Sequence, residues 1–168
     1  GMKSEQRPYM GFLYCGLILT NDGPQVLEFN CRLGDPEAQV ILPLLKSDLL
    51  EIIQAVMAWN LENIEVEITE GFATCVVASS GGYPVSYEKG REITGLEEVN
   101  SEYCQVFHAG TSTEDGNIFT DGGRVLGVTC TGRTLQESID RTYTELGKIH
   151  FEKMHFRTDI AQKGLGHL

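Results

Sequence analysis

Apolar and polar positions divide this chain into two styles of patterning. Met10 to Thr20 is an apolar, β-prone run, Asn21-Asp22-Gly23-Pro24 is a turn cluster, and Gln25 to Cys31 is a second run. Two such runs joined by turn residues predict a β-hairpin. Strict alternation in the second strand places Val26, Glu28 and Asn30 on one face and Leu27, Phe29 and Cys31 on the other. Two polar side chains therefore share one side of an otherwise apolar strand, so that side is either wet or chemical.

After Gly34, Asp35-Pro36-Glu37 has the form of a helix opening: Asp caps, Pro is tolerated at the first helical position, and Glu suits the positive end. A short helix is expected from there to about Leu44. Ser47-Asp48 restarts a helix towards Asn60, with Leu49, Ile52, Ile53, Val56 and Trp59 at helical spacing. The acidic stretch Asn60 to Gly71 reads as a link, with a boundary near residue 70, because short strands separated by glycine turns follow it. Phe72 to Ala78, Cys104 to His108, Asn117 to Thr120 and Arg124 to Cys130 are the strand candidates. Thr134-Leu135-Gln136-Glu137 resembles a capping box, opening a helix that Leu135, Ile139, Tyr143, Leu146 and Ile149 carry to about His150. The pattern predicts an α+β chain: residues 1–70 with a hairpin and helices, then residues 71–168 with a small mixed β-sheet and a closing helix.

Composition narrows the function classes. The 168 residues, 41% hydrophobic and 22% charged, can bury a core, which argues against disorder. Thirteen Lys and Arg against 24 Asp and Glu give a formal charge of -11, which repels a nucleic-acid backbone. The longest apolar run, Val40 to Leu45, is broken by Pro43 and falls far short of the roughly 20 residues a membrane helix needs. No nucleic-acid or membrane partner is expected. Five cysteines, odd in number and without a C-x-x-C pair, are expected to be reduced core residues of a cytoplasmic protein.

The informative segment is Leu27 to Glu37. Glu28 and Asn30 project to the same side of a strand and can share one hard cation such as Mg²⁺ or Mn²⁺. Arg32 would continue that face and hold a phosphate or carboxylate in its fork. Together these residues suggest a nucleotide-phosphate site, although an E-x-N pair alone is more often the solvent face of an antiparallel strand.

The wider pattern resembles the C-terminal part of the phosphoribosylamine-glycine ligase family, in the ATP-grasp superfamily. The resemblance rests on Gly11-Phe12-Leu13-Tyr14-Cys15-Gly16-Leu17, Glu28 through Glu37, Ala78 through Pro84, Phe107-His108-Ala109-Gly110-Thr111, Gly122 through Thr129, and Phe156 through Ile160, in family order. It implies the C-terminal half of an ATP-grasp domain followed by a small β-rich domain. It also implies a ligase that uses ATP as co-substrate to join glycine to 5-phosphoribosylamine, giving glycinamide ribonucleotide, ADP and phosphate in purine biosynthesis through a glycyl phosphate. Glu28 and Asn30 match the family's magnesium ligands. Glu28, Asn30 and Arg32 would hold the cation and nucleotide, and Arg32 and Asp35 would be catalytic. Gly34, Asp35, Pro36, Glu37, Arg124, Arg157 and Asp159 would face substrates. Two departures stand out: Met10 to Thr20 supplies no Asp or Glu as a further metal carboxylate, and the family's N-terminal part and adenine-holding residues have no counterpart before Arg7. The chain alone is therefore expected to be inactive, and to self-associate through surface that missing strands would cover. Alternatives are an ATP-grasp ligase for another carboxylate and a non-catalytic binding remnant.

Other motifs have plainer readings. Gly81-Gly82 lacks the Lys-Ser or Lys-Thr of a phosphate loop and is expected to be a turn. Gly122-Gly123 is expected to be a hairpin turn, His108 is expected to be structural, and Arg157 with Asp159 is expected either to form a surface pair or to approach the cleft.

Overall fold

The structure is a computed structural model and describes residues 1–167. It divides into two compact units. The first comprises Gly1–Ala38 and Leu45–Thr69, and the second comprises Gln39–Leu44 and the chain from Glu70 onward.

In the first unit, β1 (Tyr14–Thr20) and β2 (Gly23–Asn30) form an antiparallel hairpin. The first strand begins four residues later than its apolar run, because Gly11 has a φ of 137° that breaks the extended chain. The pairing contains a bulge: Leu17 faces Val26 and Gly16 faces Glu28, so Leu27 is an extra residue on β2. This overturns the simple alternation. Glu28 and Asn30 share a face with Gly16 and Tyr14, whereas Val26 lies with Leu17 on the opposite one.

The chain turns at residues 35–37, and α1 (Ala38–Leu44) starts three residues after the expected capping residue, with Ala38 N–H donating to Gly34 C=O at 2.9 Å. Pro36 is thus in the turn, with a cis Asp35–Pro36 bond, and not at the first helical position. α2 (Leu49–Met57) opens as expected at Asp48, whose carboxylate accepts from Leu50 N–H at 2.7 Å. It ends early: Trp59 has a φ of 53° and its side chain is exposed. The acidic stretch returns to the start of α2, where Lys46 N–H donates to Glu67 C=O at 3.0 Å and Lys46 pairs with the Glu67 carboxylate.

The second unit holds two sheets. β3 (Phe72–Ser80) is followed by β4 (Glu92–Ile93), β5 (Cys104–His108), β6 (Thr111–Glu114), β7 (Asn117–Thr120), β8 (Arg124–Gly132), α3 (Leu135–Leu146) and β9 (Met154–His155). The four-stranded sheet runs β5-β8-β3-β9 and the three-stranded sheet β4-β7-β6, with every pair antiparallel. The α+β class holds, but one mixed sheet is replaced by two antiparallel ones. Gly122-Gly123 is consequently a connector between sheets and not a hairpin turn. Its glycines let two backbones meet, since a β-carbon on Gly110 would lie 2.5 Å from Gly122 Cα.

α3 packs against β3 and β8, and its core-facing side chains join Val76, Ala78, Val125, Leu126 and Val128 in one buried cluster. Each such Leu, Ile, Phe or Val contributes about 1.5–3 kcal/mol by leaving water. Thr142 Oγ1 donates to Thr74 C=O at 3.0 Å, satisfying a hydroxyl inside that packing. The helix stops at Leu146, capped at Gly147, so Ile149 is buried from the loop beyond it and not from the helix.

The cysteine expectation fails in two ways. Cys104 and Cys130 stand directly opposite on β5 and β8 and form a disulfide. Their Cα atoms are 4.1 Å apart, the close spacing of a cross-strand pair that exchanges no backbone hydrogen bonds. Of the cysteines outside that bond Cys75 is buried, while Cys15 and Cys31 are exposed.

Candidate functional site

The hairpin brings Glu28 and Asn30 together as the alternation requires. Asn30 Nδ2 donates to Glu28 Oε1 at 3.0 Å. Room for the Glu28 stem comes from Gly16 directly opposite, where a β-carbon would lie 3.0 Å from Glu28 Cγ. A carboxylate and an amide oxygen on one strand face are hard donors suited to a small divalent cation, and the glycine leaves space beside them. Among the described residues no three His, Cys, Asp or Glu side chains cluster closely enough to hold a metal by themselves. A cation here must therefore draw on the Asn30 amide oxygen and on ligand or water oxygens.

Tyr14, directly across from Asn30, was not singled out by the sequence. Its hydroxyl donates to Glu37 Oε1 at 3.1 Å. That hydrogen bond to Glu37, then burial, then the negative charges of Glu37 and Glu28 hold the Tyr14 hydroxyl above its ordinary pKa, so it remains a neutral donor. Glu37 reaches Tyr14 because the chain turns back after β2, and because Gly34 has no side chain to obstruct it.

The other expected residues divide. Arg32 lies beyond β2 in a bend and donates Nη1 to Leu33 C=O at 2.8 Å, so it does not continue the Glu28–Asn30 face. Gly34 is buried, Pro36 and Glu37 are half-buried, and Asp35 is exposed. Arg124, Arg157 and Asp159 belong to the second unit. Arg124 is exposed at the start of β8, opposite Ser79. Arg157 and Asp159 form a two-pronged surface pair, Nε to Oδ1 at 2.9 Å and Nη2 to Oδ2 at 2.7 Å. His108 is exposed, with Nδ1 3.1 Å from Thr111 Oγ1. No helix among the described residues is long and apolar enough to cross a membrane.

Comparison with known proteins gives this geometry its context. The family model "Phosphoribosylglycinamide synthetase, C domain" matches residues 73–163, and "Phosphoribosylglycinamide synthetase, ATP-grasp (A) domain" matches residues 1–38. The chain is 52% identical over 160 residues to a phosphoribosylamine–glycine ligase of Caldanaerobacter subterraneus, covering 95% of this chain and 38% of that protein. It is 46% identical over 169 residues to the human trifunctional purine biosynthetic protein adenosine-3, covering 100% of this chain and 17% of that protein. Among solved structures, a Thermotoga maritima phosphoribosylamine–glycine ligase superposes with a TM-score of 0.77 at 38% identity, over 94% of this chain and 39% of that one. The biotin carboxylase domain of a Hydrogenobacter thermophilus carboxylase shares the fold alone, with a TM-score of 0.62 at 14% identity, over 91% of this chain and 34% of that one. The chain thus spans well under half the length of these relatives, and it belongs to the phosphoribosylglycinamide synthetase family.

Proposed function

We propose that this chain forms the cation and phosphate end of a ligase that joins glycine to 5-phosphoribosylamine at the expense of ATP. The observation that carries this reading is the Glu28–Asn30 pair on one face of β2, inside the segment matched by the ATP-grasp model. In the reaction, a glycine carboxylate oxygen takes the γ-phosphoryl group and ADP leaves. The amine of phosphoribosylamine then attacks the carbonyl carbon, phosphate departs, and the nitrogen gives up a proton. A bound Mg²⁺ or Mn²⁺ would neutralise charge on the transferring phosphoryl. Glu28 and Asn30 would hold that ion, Arg32 would turn from its own backbone to an oxyanion, and Glu37 would bear on the substrate side of the same face. Asp35, Gly34 and Pro36 shape the loop that presents Glu37.

The matching N-terminal part of the family protein would supply the adenine-binding surface and cover the apolar hairpin side chains Leu19, Leu27 and Phe29, which are exposed here. The chain by itself would then be inactive and prone to self-association. We place the protein in the cytoplasm on its family resemblance, since the Cys104–Cys130 disulfide removes the reduced-cysteine argument for that compartment.

The test is ADP release by this chain grafted in place of the matching C-terminal segment of the Caldanaerobacter ligase, omitting ATP, Mg²⁺, glycine and phosphoribosylamine in turn. ADP that appears only with all four, and is lost on Glu28→Gln, is the expected result. ADP formed without glycine would reassign the carboxylate. A folded graft that never forms ADP would favour a non-catalytic binding role.

A further inference from the structure

Two carboxylates converge on Tyr14. Glu28 lies on the same hairpin face, bonded to Asn30 directly across from Tyr14, and Glu37 arrives from the following loop to accept the Tyr14 proton. Each is given room by a glycine: Gly16 for Glu28, and Gly34 for Glu37, whose Oε2 lies 2.1 Å from where a Gly34 β-carbon would stand. Each accepts through Oε1. Neither has a Lys, Arg or His ion-pair partner among the described residues. The Glu37 and Glu28 carboxylates each hold one hydrogen bond through Oε1, from the Tyr14 hydroxyl and the Asn30 amide, and a divalent cation is the group that would draw on their remaining oxygens. β1 meanwhile contains no Asp or Glu, so the strand beside Glu28 cannot supply a second carboxylate, whereas the loop can.

We infer that Tyr14 is a positioning residue that fixes Glu37 as the third oxygen donor of the cation site formed by Glu28 and Asn30. This rests on the cation reading of that pair given above. Tyr14 acts through Glu37: its single proton occupies Oε1, orients the carboxylate plane, and leaves Oε2 for the ion. Hydrogen bonds of this kind to a ligating carboxylate are worth about 10–100-fold in metal affinity where they have been removed.

The experiment uses the chain as it stands, with Mn²⁺ as probe because it accepts the same oxygen ligands and its free ion is read directly by electron paramagnetic resonance. The unaltered chain should bind Mn²⁺, Glu28→Gln should abolish the site, and Glu37→Gln should weaken it about tenfold or more. Tyr14→Phe should weaken it about tenfold, and should add almost nothing in a Glu37→Gln background, since its effect passes through that carboxylate. A role in packing alone would lower the melting temperature and leave Mn²⁺ affinity unchanged. If Glu28→Gln loses binding while Tyr14→Phe and Glu37→Gln keep it, the inference is overturned and the Glu28–Asn30 reading survives. If the unaltered chain binds no Mn²⁺, both fall. Should Tyr14→Phe fail to fold, Glu37→Asp replaces it, because the shorter side chain cannot span the same distance from the backbone; undiminished affinity there overturns the inference equally.

Discussion

The Glu37 carboxylate occupies the space that a side chain on Gly34 would need, with Oε2 2.1 Å from the position of that absent β-carbon. The obstruction is the end of a flexible side chain, so Gly34→Ala can be accommodated by swinging Glu37 away from Tyr14. Alanine at a compatible backbone position also restricts the unfolded chain, a gain of about 0.4–1 kcal/mol. Gly34→Ala should therefore leave the melting temperature unchanged or slightly raised while weakening Mn²⁺ binding as Glu37→Gln does. A variant that melts early but binds Mn²⁺ normally would show that Gly34 serves the loop backbone and not the carboxylate.

Glu145 should make the second unit acid-sensitive. Only 2% exposed, its carboxylate accepts from Asn100 N–H at 2.7 Å, Lys148 Nζ at 2.7 Å and Tyr103 Oη at 3.3 Å. Burial pushes its pKa up, but the bonds from Lys148, Asn100 and Tyr103 together outweigh burial and hold it below the usual value of 4.5. A depressed folded-state pKa contributes stability that is present above the unfolded value and lost as pH falls through the folded one. Glu145→Gln should cost about 1–3 kcal/mol at pH 7 in urea unfolding, with the gap to the unaltered chain narrowing towards pH 3. An equal gap at both pH values would mean that the charge contributes nothing.

Much of this was legible in the sequence because short-range chemistry decides it. Glu28 and Asn30 share a face because side chains two apart on a strand do so, and the bulge at Leu27 lies upstream of both. The same bulge removed Val26 from that face, and nothing about Leu27 announces an extra residue. Asp48 and Thr134 were readable as caps since a cap needs only its own next few residues. Tyr14 was not readable, because its bond to Glu37 joins residues 23 apart and depends on how the chain turns after Arg32. Cys104 and Cys130 look like two isolated core cysteines until the register of β5 on β8 sets them face to face. Gly122-Gly123 carries a turn signal, but whether such a turn closes a hairpin or passes between sheets is settled by which strands β7 and β8 choose as partners.

Thr134 should be worth the usual capping increment to α3. Its Oγ1 accepts from Glu137 N–H at 3.1 Å, and the Glu137 carboxylate in turn accepts from Arg133 N–H at 2.6 Å. Thr134→Ala leaves an N–H at the helix start without its side-chain acceptor, at a cost of about 1 kcal/mol. Thr134→Ser should recover most of that in the same urea titration. No recovery would attribute the loss to the threonine methyl group.

Gly95 should be among the least replaceable glycines of the second unit, together with Gly82, whose missing β-carbon would likewise meet main chain. Its φ of +80° lies in the left-handed region, and a β-carbon there would stand 2.0 Å from Lys148 C=O. Left-handed backbone costs a non-glycine residue about 1–2 kcal/mol. Beyond that the obstacle is main chain, held by the reciprocal bonds of Thr94 and His150, whose N–H groups donate to each other's C=O at 2.9 and 3.0 Å. It cannot swing aside as Glu37 can. Gly116 is the internal control, with a φ of +85° and nothing within 4 Å of its missing β-carbon. Gly116→Ala should therefore show the conformational cost alone, about 1–2 kcal/mol. Gly95→Ala should exceed it by a further 2 kcal/mol or so, the range of an overpacked interior site. Measured side by side in urea, equal losses would mean that the loop carrying Lys148 yields easily, and that the Thr94–His150 bridge does not pin it.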